Sequence, residues 1–168
     1  MDRGSLLHVG CGGDPLPDWL EEYKETRLDI DESHCPDVVS SMTDMGDVGT
    51  FDAVYCSHAL EHLFPYEVEI ALKEFKRVLR DGGVAIVFVP DLEDVRPTEE
   101  VLFVSPSGGI TGMDLIYGLR KAFKENPYML HKTGFTQSTL AKEFENVGFR
   151  KIETRRLEPY NLLCLGVK

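Results

Sequence analysis

The segment Leu6–Pro15, "LLHVGCGGDP", decides the fold of this chain. Its apolar run predicts a buried strand that turns at Gly10-x-Gly12. Open α/β sheets bind nucleotides outside the carboxyl ends of their strands, and glycines there let the backbone approach a ligand. Any tight strand–helix turn also favours glycine, so this simpler interpretation stays open. The full dinucleotide fingerprint requires Gly or Ala at position 15, so Pro15 disfavours NAD or FAD.

Beyond this segment, short apolar runs alternate with segments of helical period. Strands are predicted at Leu6–Gly10, Thr26–Ile30, Pro36–Ser41, Phe51–Ser57, Val84–Pro90, Arg150–Leu157 and Asn161–Val167. Helices are predicted at Pro17–Glu25, between Pro65 and Gly83, within Met113–Lys124, and from Thr136 to Gly148. This alternation predicts an α/β fold: a Rossmann-like, doubly wound, mostly parallel sheet of about seven strands with helices on both faces. Only "EPY" separates the last two strands, so the sheet should end in an antiparallel hairpin.

Acidic residues follow the second predicted strand. Asp29 and Asp31, in "RLDID", come about 20 residues after the glycines, where an acid can accept hydrogen bonds from two ribose hydroxyls. Acids at strand ends often only solvate a loop, and this chain has many acids. The glycine loop followed by a strand-end acid nevertheless favours an adenosine site.

Composition limits the classes of function. The length of 168 residues predicts a single domain, 1–168. The formal net charge of −11 repels phosphate backbones, so we expect no nucleic-acid partner. Apolar runs such as Val84–Val89 are too short to cross a bilayer, so we expect no membrane partner.

The cysteines and the start of the chain indicate a cytoplasmic protein. The four cysteines are scattered, which is typical of reduced thiols rather than of a disulfide framework. No basic stretch followed by a hydrophobic segment and a cleavage site precedes the first strand, so we expect no signal peptide.

Several stretches together resemble the class I S-adenosylmethionine-dependent methyltransferases, in particular their small type 11-like members. They are "LLHVGCGGDP", "LDID", "FDAVYCSHALEHL", "ALKEFKRVLRDGGVAIVFVPD" and "HKTGFTQSTLAKEFENVGF". The resemblance covers nearly the whole chain, and the ordered series is more specific than any single motif. It implies S-adenosylmethionine as the cofactor and methyl transfer as the activity.

The resemblance also implies which residues bind the cofactor. The loop under the methionine part of the cofactor is matched by Gly10, Cys11 and Gly12. Asp29 matches the acid that binds the ribose, and Ile30 matches the side chain that packs on the adenine. Ser41 and Met42 stand where the family often has an acid and an apolar residue at the adenine edge, with Asp44 as a substitute for the acid. Ser57 and His58 match the strand tip beside the transferable methyl group. The N-terminal helices that usually help to cover the site are not expected here, and a homo-oligomer that completes the site is compatible with this.

The stretch His58–His62, "HALEH", has the H-x-x-E-H pattern of a zinc peptidase. Zinc requires a third protein ligand, and Pro65 breaks the predicted helix three residues after His62. We therefore expect no metal and interpret the stretch as a turn after a strand. A zinc hydrolase using His58, Glu61 and His62 is the less favoured alternative.

Two histidines are candidate catalytic bases. His58 qualifies by its position after the fourth strand, and His131 by its place before the last large helix; a merely structural role stays open for each. The loosely patterned residues 91–134 are expected to form an acceptor-side insertion or lid. They lack the interleaved aromatic and basic residues of a base-stacking surface, which favours a small-molecule acceptor that the sequence does not identify. A cofactor-binding regulatory or assembly protein without transferase activity is the main alternative.

Overall fold

The computed structural model describes residues 4–168. The strands are β1 (Ser5–Val9), β2 (Lys24–Asp29), β3 (Val38–Val39), β4 (Phe51–Ser57), β5 (Leu79–Pro90), β6 (Val101–Ser105), β7 (Gly108–Thr111), β8 (Arg150–Leu157) and β9 (Asn161–Val167). The α-helices are α1 (Pro65–Val78), α2 (Gly112–Tyr117) and α3 (Gln137–Asn146). No helix of this described part is long and apolar enough to cross a membrane.

Seven strands form one sheet in the order β3-β2-β1-β4-β5-β9-β8. The pairs from β3 to β5 are parallel, whereas β9 runs antiparallel to both β5 and β8. The chain proceeds from β1 outward to β3 and then returns to β4 on the other side of β1. The predicted Rossmann-like sheet with an antiparallel end is confirmed, and its switch point lies between β1 and β4.

Helices α1 and α3 pack on one face of this sheet. The apolar stripe of α1 is fully buried, and Leu140 and Phe144 of α3 join the same core. They meet alternate side chains of the central strands, among them Leu7 and Val54. Pro65 begins α1, where its missing N–H costs nothing, and Glu67 accepts a hydrogen bond from the N–H of Phe64 at 2.8 Å.

The opposite face of the sheet has a smaller apolar cluster and less helical cover. The helix predicted at Pro17–Glu25 is wrong, because only Asp18–Leu20 form a 3-10 turn. Lys24 pairs with Ser5 in the β1–β2 ladder, so the residues before it are too few for a stable α-helix. Leu20 is buried against this face, which therefore has the cover of one short turn instead of a predicted helix.

Residues 91–134 contain more regular structure than their sequence pattern indicated. Strands β6 and β7 form a separate antiparallel hairpin, whose turn is part of the glycine-rich stretch 105–109. The predicted helix within Met113–Lys124 is shorter than expected, since α2 ends at Tyr117 and a 3-10 turn follows. The predicted strand Pro36–Ser41 is likewise reduced to Val38–Val39.

Candidate active site

A cavity of about 510 Å³ opens at the carboxyl ends of β1, β2 and β4, next to the switch point. This volume is within the usual range for a small-molecule site. All eight residues predicted to bind the cofactor line it: Gly10, Cys11, Gly12, Asp29, Ile30, Ser41, Met42 and Ser57. His58 lines the same cavity, whereas His131 is not among its lining residues.

The loop after β1 is held by backbone hydrogen bonds. The N–H groups of Gly10 and Cys11 both donate to the carbonyl of Leu28, at 2.9 and 3.3 Å. Gly10 has φ of +64°, and a Cβ on it would lie 2.5 Å from Cβ of Ala59. Only glycine therefore allows the loop after β1 to lie this close to the loop after β4.

Asp29 fixes the glycine loop from the end of β2. Its Oδ2 accepts the N–H of Gly12 at 2.8 Å, and its Oδ1 accepts the N–H of Asp31 at 2.9 Å. Each carboxylate oxygen keeps acceptor capacity beyond these bonds, because an ionised carboxylate has about four lone-pair sites. Asp31 is used differently, since its side chain accepts the N–H of Ser33 in the next turn.

Arg27 supports the same loop from outside the cavity, and no sequence motif indicates this role. Its guanidinium donates to the carbonyls of Gly12 and Asp14, at 2.8 and 2.9 Å. The same side chain lies 3.3 Å from Glu25. Nothing in the local sequence distinguished Arg27 from other charged residues, because its partners come from the preceding loop.

Another part of the cavity wall combines apolar and hydroxyl side chains. Ile30 is 53% exposed although it is apolar, and Met42 lies beside the glycine loop. The hydroxyl of Ser41 bonds to that of Thr43 at 2.7 Å. Asp44, the suggested substitute for an acid at this edge, does not line the cavity; its backbone carbonyl accepts the Ser40 hydroxyl.

His58 extends from the end of β4 toward the cavity. Its backbone is left-handed, with φ of +50°, and its N–H donates to the carbonyl of Phe88 at 2.9 Å. The side chain is 47% exposed, and its Nδ1 lies 3.5 Å from Oε1 of Glu61. A non-glycine residue in this conformation is uncommon and is often found at functional sites.

The stretch "HALEH" forms a 3-10 turn over Leu60–His62 and not an α-helix. His58 and His62 therefore do not share one helix face, as the H-x-x-E-H pattern requires. Glu61 is only 1% exposed, and its backbone carbonyl accepts the N–H groups of Lys132 and Thr133. The turn is thus bound to the end of the 91–134 segment.

Charge and burial shift several pKa values around this turn. Burial alone would lower the pKa of His58, but the carboxylate of Glu61 outweighs it and raises that pKa. Burial would raise the pKa of Glu61, yet the adjacent imidazole of His58, with His62 and His131, lowers it. Burial lowers the pKa of His131 and raises that of the Cys11 thiol, which stays protonated at neutral pH.

The 91–134 segment contributes one wall of the cavity, through Asn126, Tyr128, Met129 and Lys132. No motif in the sequence marks any of these four residues. His131 lies in the same stretch, but its Nδ1 bonds to the carbonyl of Leu115 at 2.9 Å and its Nε2 is 3.9 Å from Glu61.

Residues 7–87 match a family model described as a methyltransferase domain. Among curated protein sequences, none matches the chain. In structure the chain is similar to a SAM-dependent methyltransferase from Archaeoglobus fulgidus, where SAM is S-adenosylmethionine. The identity is 16%, the TM-score is 0.69, and the alignment covers 98% of this chain and 86% of that protein.

Two structures from Burkholderia thailandensis are also similar. One is 1,6-didemethyltoxoflavin-N1-methyltransferase with bound 1,6-didemethyltoxoflavin and S-adenosylhomocysteine: 14% identity, TM-score 0.66, covering 98% of this chain and 71% of that one. The other is an O-methyltransferase family protein, with 12% identity and a TM-score of 0.64. The chain spans about half of the length of this second protein, since the alignment covers 51% of it.

Proposed function

Because residues 7–87 match a methyltransferase domain and the fold is similar to that of a SAM-dependent methyltransferase, we propose that the chain methylates a small molecule bound beside His58. The predicted resemblance to this family, with its fold and its cofactor, is confirmed. The acceptor and the roles of individual residues are the proposed part.

One observation carries the proposal: the glycine loop, Asp29 and the tip of β4 meet in a single cavity. These elements leave room for the cofactor. A Cβ on Gly12 would meet nothing within 4 Å, so there is open space beside the glycine loop. In this proposal Asp29 accepts hydrogen bonds from the ribose, Ile30 packs on adenine, and Gly10–Gly12 lie under the methionine part. Ser41 and Met42 border the adenine, and Ser57 is at the methyl end.

The acceptor side is proposed from the composition of the other wall. Tyr128 and Met129 offer apolar surface, while Asn126 and Lys132 offer hydrogen-bond donors. A planar organic molecule with a polar edge suits this mixture, and the net charge of −11 disfavours a polyanion. The toxoflavin methyltransferase, whose structure contains a small molecule, supports this class of acceptor. We infer that residues 91–134 are an acceptor-side insertion within a single domain.

Bound S-adenosylmethionine supplies a methyl group that is already activated for transfer. The chain itself has to align the acceptor and exclude water. His58, half exposed at the methyl end, is proposed to contact the acceptor and to receive its proton where one must leave. A cytoplasmic location belongs to the same proposal, supported by four cysteines that form no disulfide.

The first test is calorimetric titration with S-adenosylmethionine and S-adenosylhomocysteine. Asp29→Ala removes the ribose acceptors and the bond to Gly12, so we expect binding to weaken about 100-fold or more. Asp31→Asn is the matched control, because that side chain serves the adjacent turn and should change affinity only slightly.

Circular dichroism should be used to check that both variants are folded. Equal binding by wild type and Asp29→Ala would refute the assignment of the ribose site. For His58→Gln we expect a lower rate of methyl transfer to a responsive acceptor, with cofactor affinity unchanged. A rate equal to that of wild type would remove His58 from the catalytic role.

A further inference from the structure

Three of the five histidines of the chain gather around one buried carboxylate. His58 and His131 approach Oε1 of Glu61 at 3.5 and 3.9 Å, and the rings of His62 and His131 have centroids 5.1 Å apart. One possible ligand atom from each of Glu61, His62 and His131 lies within 4.8 Å of the others. Glu61 and His62 belong to the 3-10 turn that follows β4, and His131 approaches this turn from the 91–134 segment.

Backbone carbonyls fix the protonation pattern of two of these histidines. Nδ1 of His62 lies 3.0 Å from the carbonyl of Leu130, and Nδ1 of His131 lies 2.9 Å from that of Leu115. A carbonyl can only accept, so Nδ1 must be the protonated nitrogen of each ring. In the neutral imidazoles Nε2 therefore carries a lone pair. This is the arrangement by which outer partners orient metal-binding histidines.

Glu61 makes this cluster rich in acceptors and poor in donors. Its Oε2 is fully buried and has no hydrogen-bond partner among residues 4–168. A buried unpaired carboxylate oxygen is costly unless a cation compensates it. The backbone around it is fixed, because the carbonyl of Glu61 accepts the N–H groups of Lys132 and Thr133 at 2.9 and 3.2 Å. These bonds hold His131 beside the carboxylate.

We propose that Glu61, His62 and His131 bind a divalent transition-metal ion. Two imidazoles and one carboxylate suit Zn²⁺ or Co²⁺, and three protein ligands leave a position open for water or substrate. Tetrahedral bonds of about 2.1 Å place neighbouring ligand atoms roughly 3.4 Å apart, so the side chains would close by about an ångström on binding. His62 also lines the cavity at the carboxyl ends of the strands, so the ion would lie next to that cavity.

This site differs from the zinc-peptidase pattern in the same stretch. There the two histidines of "HALEH" are both ligands and the glutamate is a base, whereas here Glu61 is a ligand and His131 replaces His58. Metal binding can be measured without methyl transfer. The proposed metal site is therefore tested independently of the proposed methyltransferase function.

The test uses the full chain, stripped of metal by dialysis against a chelator. Titration with Zn²⁺ by calorimetry should give one equivalent, and Co²⁺ should give the visible absorption of a low-coordinate site. Glu61→Gln and His131→Gln should each weaken Zn²⁺ binding about tenfold or more. His62→Gln removes the ligand that borders the cavity and supplies the test if a more deeply buried variant does not fold.

His34→Gln is the matched control, because His34 lies 3.7 Å from Asp31 and next to the exposed Cys35, an alternative place for metal. This control should retain the full stoichiometry. No saturable binding by the folded wild type would overturn the proposal. Binding that survives His131→Gln and His62→Gln, or that His34→Gln alone abolishes, would overturn it as well.

Discussion

The carboxyl ends of β1, β2 and β4 belong to the main sheet, whereas residues 91–134 reach the cavity from short turns outside that sheet. We call the first the cofactor edge and the second the acceptor segment. At the cofactor edge, neighbouring strands share main-chain hydrogen bonds and the loop after β1 donates to β2. In the acceptor segment, β6 and β7 pair only with each other among residues 4–168, and Val101 and Val104 of β6 are exposed.

This difference suits the two tasks that the proposed methyl transfer requires. The cofactor is the same for every acceptor. Its site can therefore be held by main-chain hydrogen bonds between strands, which few substitutions disturb. The acceptor varies, and surface segments carried by a rigid scaffold can change their side chains without unfolding the sheet. If this division is correct, damage to the cofactor edge should lower global stability, and damage to the acceptor segment should remain local.

The largest effect is expected for Gly10→Ala. The new Cβ would lie 2.5 Å from Cβ of Ala59, and φ of +64° is strained for alanine. Overpacking and the left-handed backbone together should lower the free energy of unfolding by about 3 kcal/mol, measured by urea denaturation. Cofactor binding should be lost with it. A free energy of unfolding equal to that of wild type would contradict the claim that damage to the cofactor edge lowers global stability.

Gly12→Ala is the control for this effect, because its Cβ would meet nothing within 4 Å. Its free energy of unfolding should fall only by the cost of the left-handed backbone for alanine, roughly 1 kcal/mol. If the proposed cofactor site is correct, the added methyl group occupies space that the cofactor needs, so cofactor affinity should fall while the fold persists. Equal destabilisation by both variants would show that strain, and not contact with Ala59, is decisive.

A smaller and local effect is expected for Asp114→Asn in the acceptor segment. Asp114 accepts the hydroxyl of Thr111 at 2.7 Å and Nε of Arg120 at 3.0 Å, which joins α2 to the next turn. Loss of its charge should cost about 1–2 kcal/mol of local stability, measured by hydrogen exchange over residues 101–130. Cofactor affinity should change by less than about twofold, because no strand of the main sheet is involved.

Glu99→Gln provides the matched comparison, since Glu99 contacts the same guanidinium of Arg120 but is 70% exposed. An exposed ion pair contributes little, so hydrogen exchange should scarcely change. A large loss of cofactor affinity in Asp114→Asn would mean that the two regions unfold together.

The smallest effect is expected for Asp52→Asn, at the amino end of β4. Bonds from Arg80 and from the N–H of Ser5 lower the pKa of Asp52 to about 2, from 3.8. A carboxyl whose pKa is lower in the folded protein stabilises the fold at pH values above its pKa in the unfolded chain. This contribution disappears as the pH falls from about 4 to about 2. The side chain is 41% exposed, so the loss should stay below about 1 kcal/mol.

The measurement is thermal unfolding of wild type and Asp52→Asn across that pH range. Their difference should be present near neutral pH and should vanish at the acid end. Cofactor affinity at neutral pH should be equal, because Asp52 lies at the opposite end of the strands from the cavity. A difference that grows with acidity would refute the assignment of the shift to Arg80 and Ser5.

Local pattern predicted most of the fold because the responsible interactions are close in sequence or repeat regularly. The stripe Val68–Val78 has helical spacing, and Thr136 caps α3 as its sequence indicated. The apolar strands β4 and β5 were predicted because both of their faces are covered. The same logic failed at Pro17–Glu25, where pairing of Lys24 with Ser5 outweighed helical propensity.

The residues alone determined the sheet, its glycine loop and the acid at the end of β2, because parallel strands bring their carboxyl ends to one edge. Only the tertiary structure decided what "HALEH" contributes. His131 and the carbonyls of Leu115 and Leu130 come from a segment far along the chain, and no spacing rule connects them to Glu61. Burial of that carboxylate is a property of the packed molecule, so the partners it requires became visible only there.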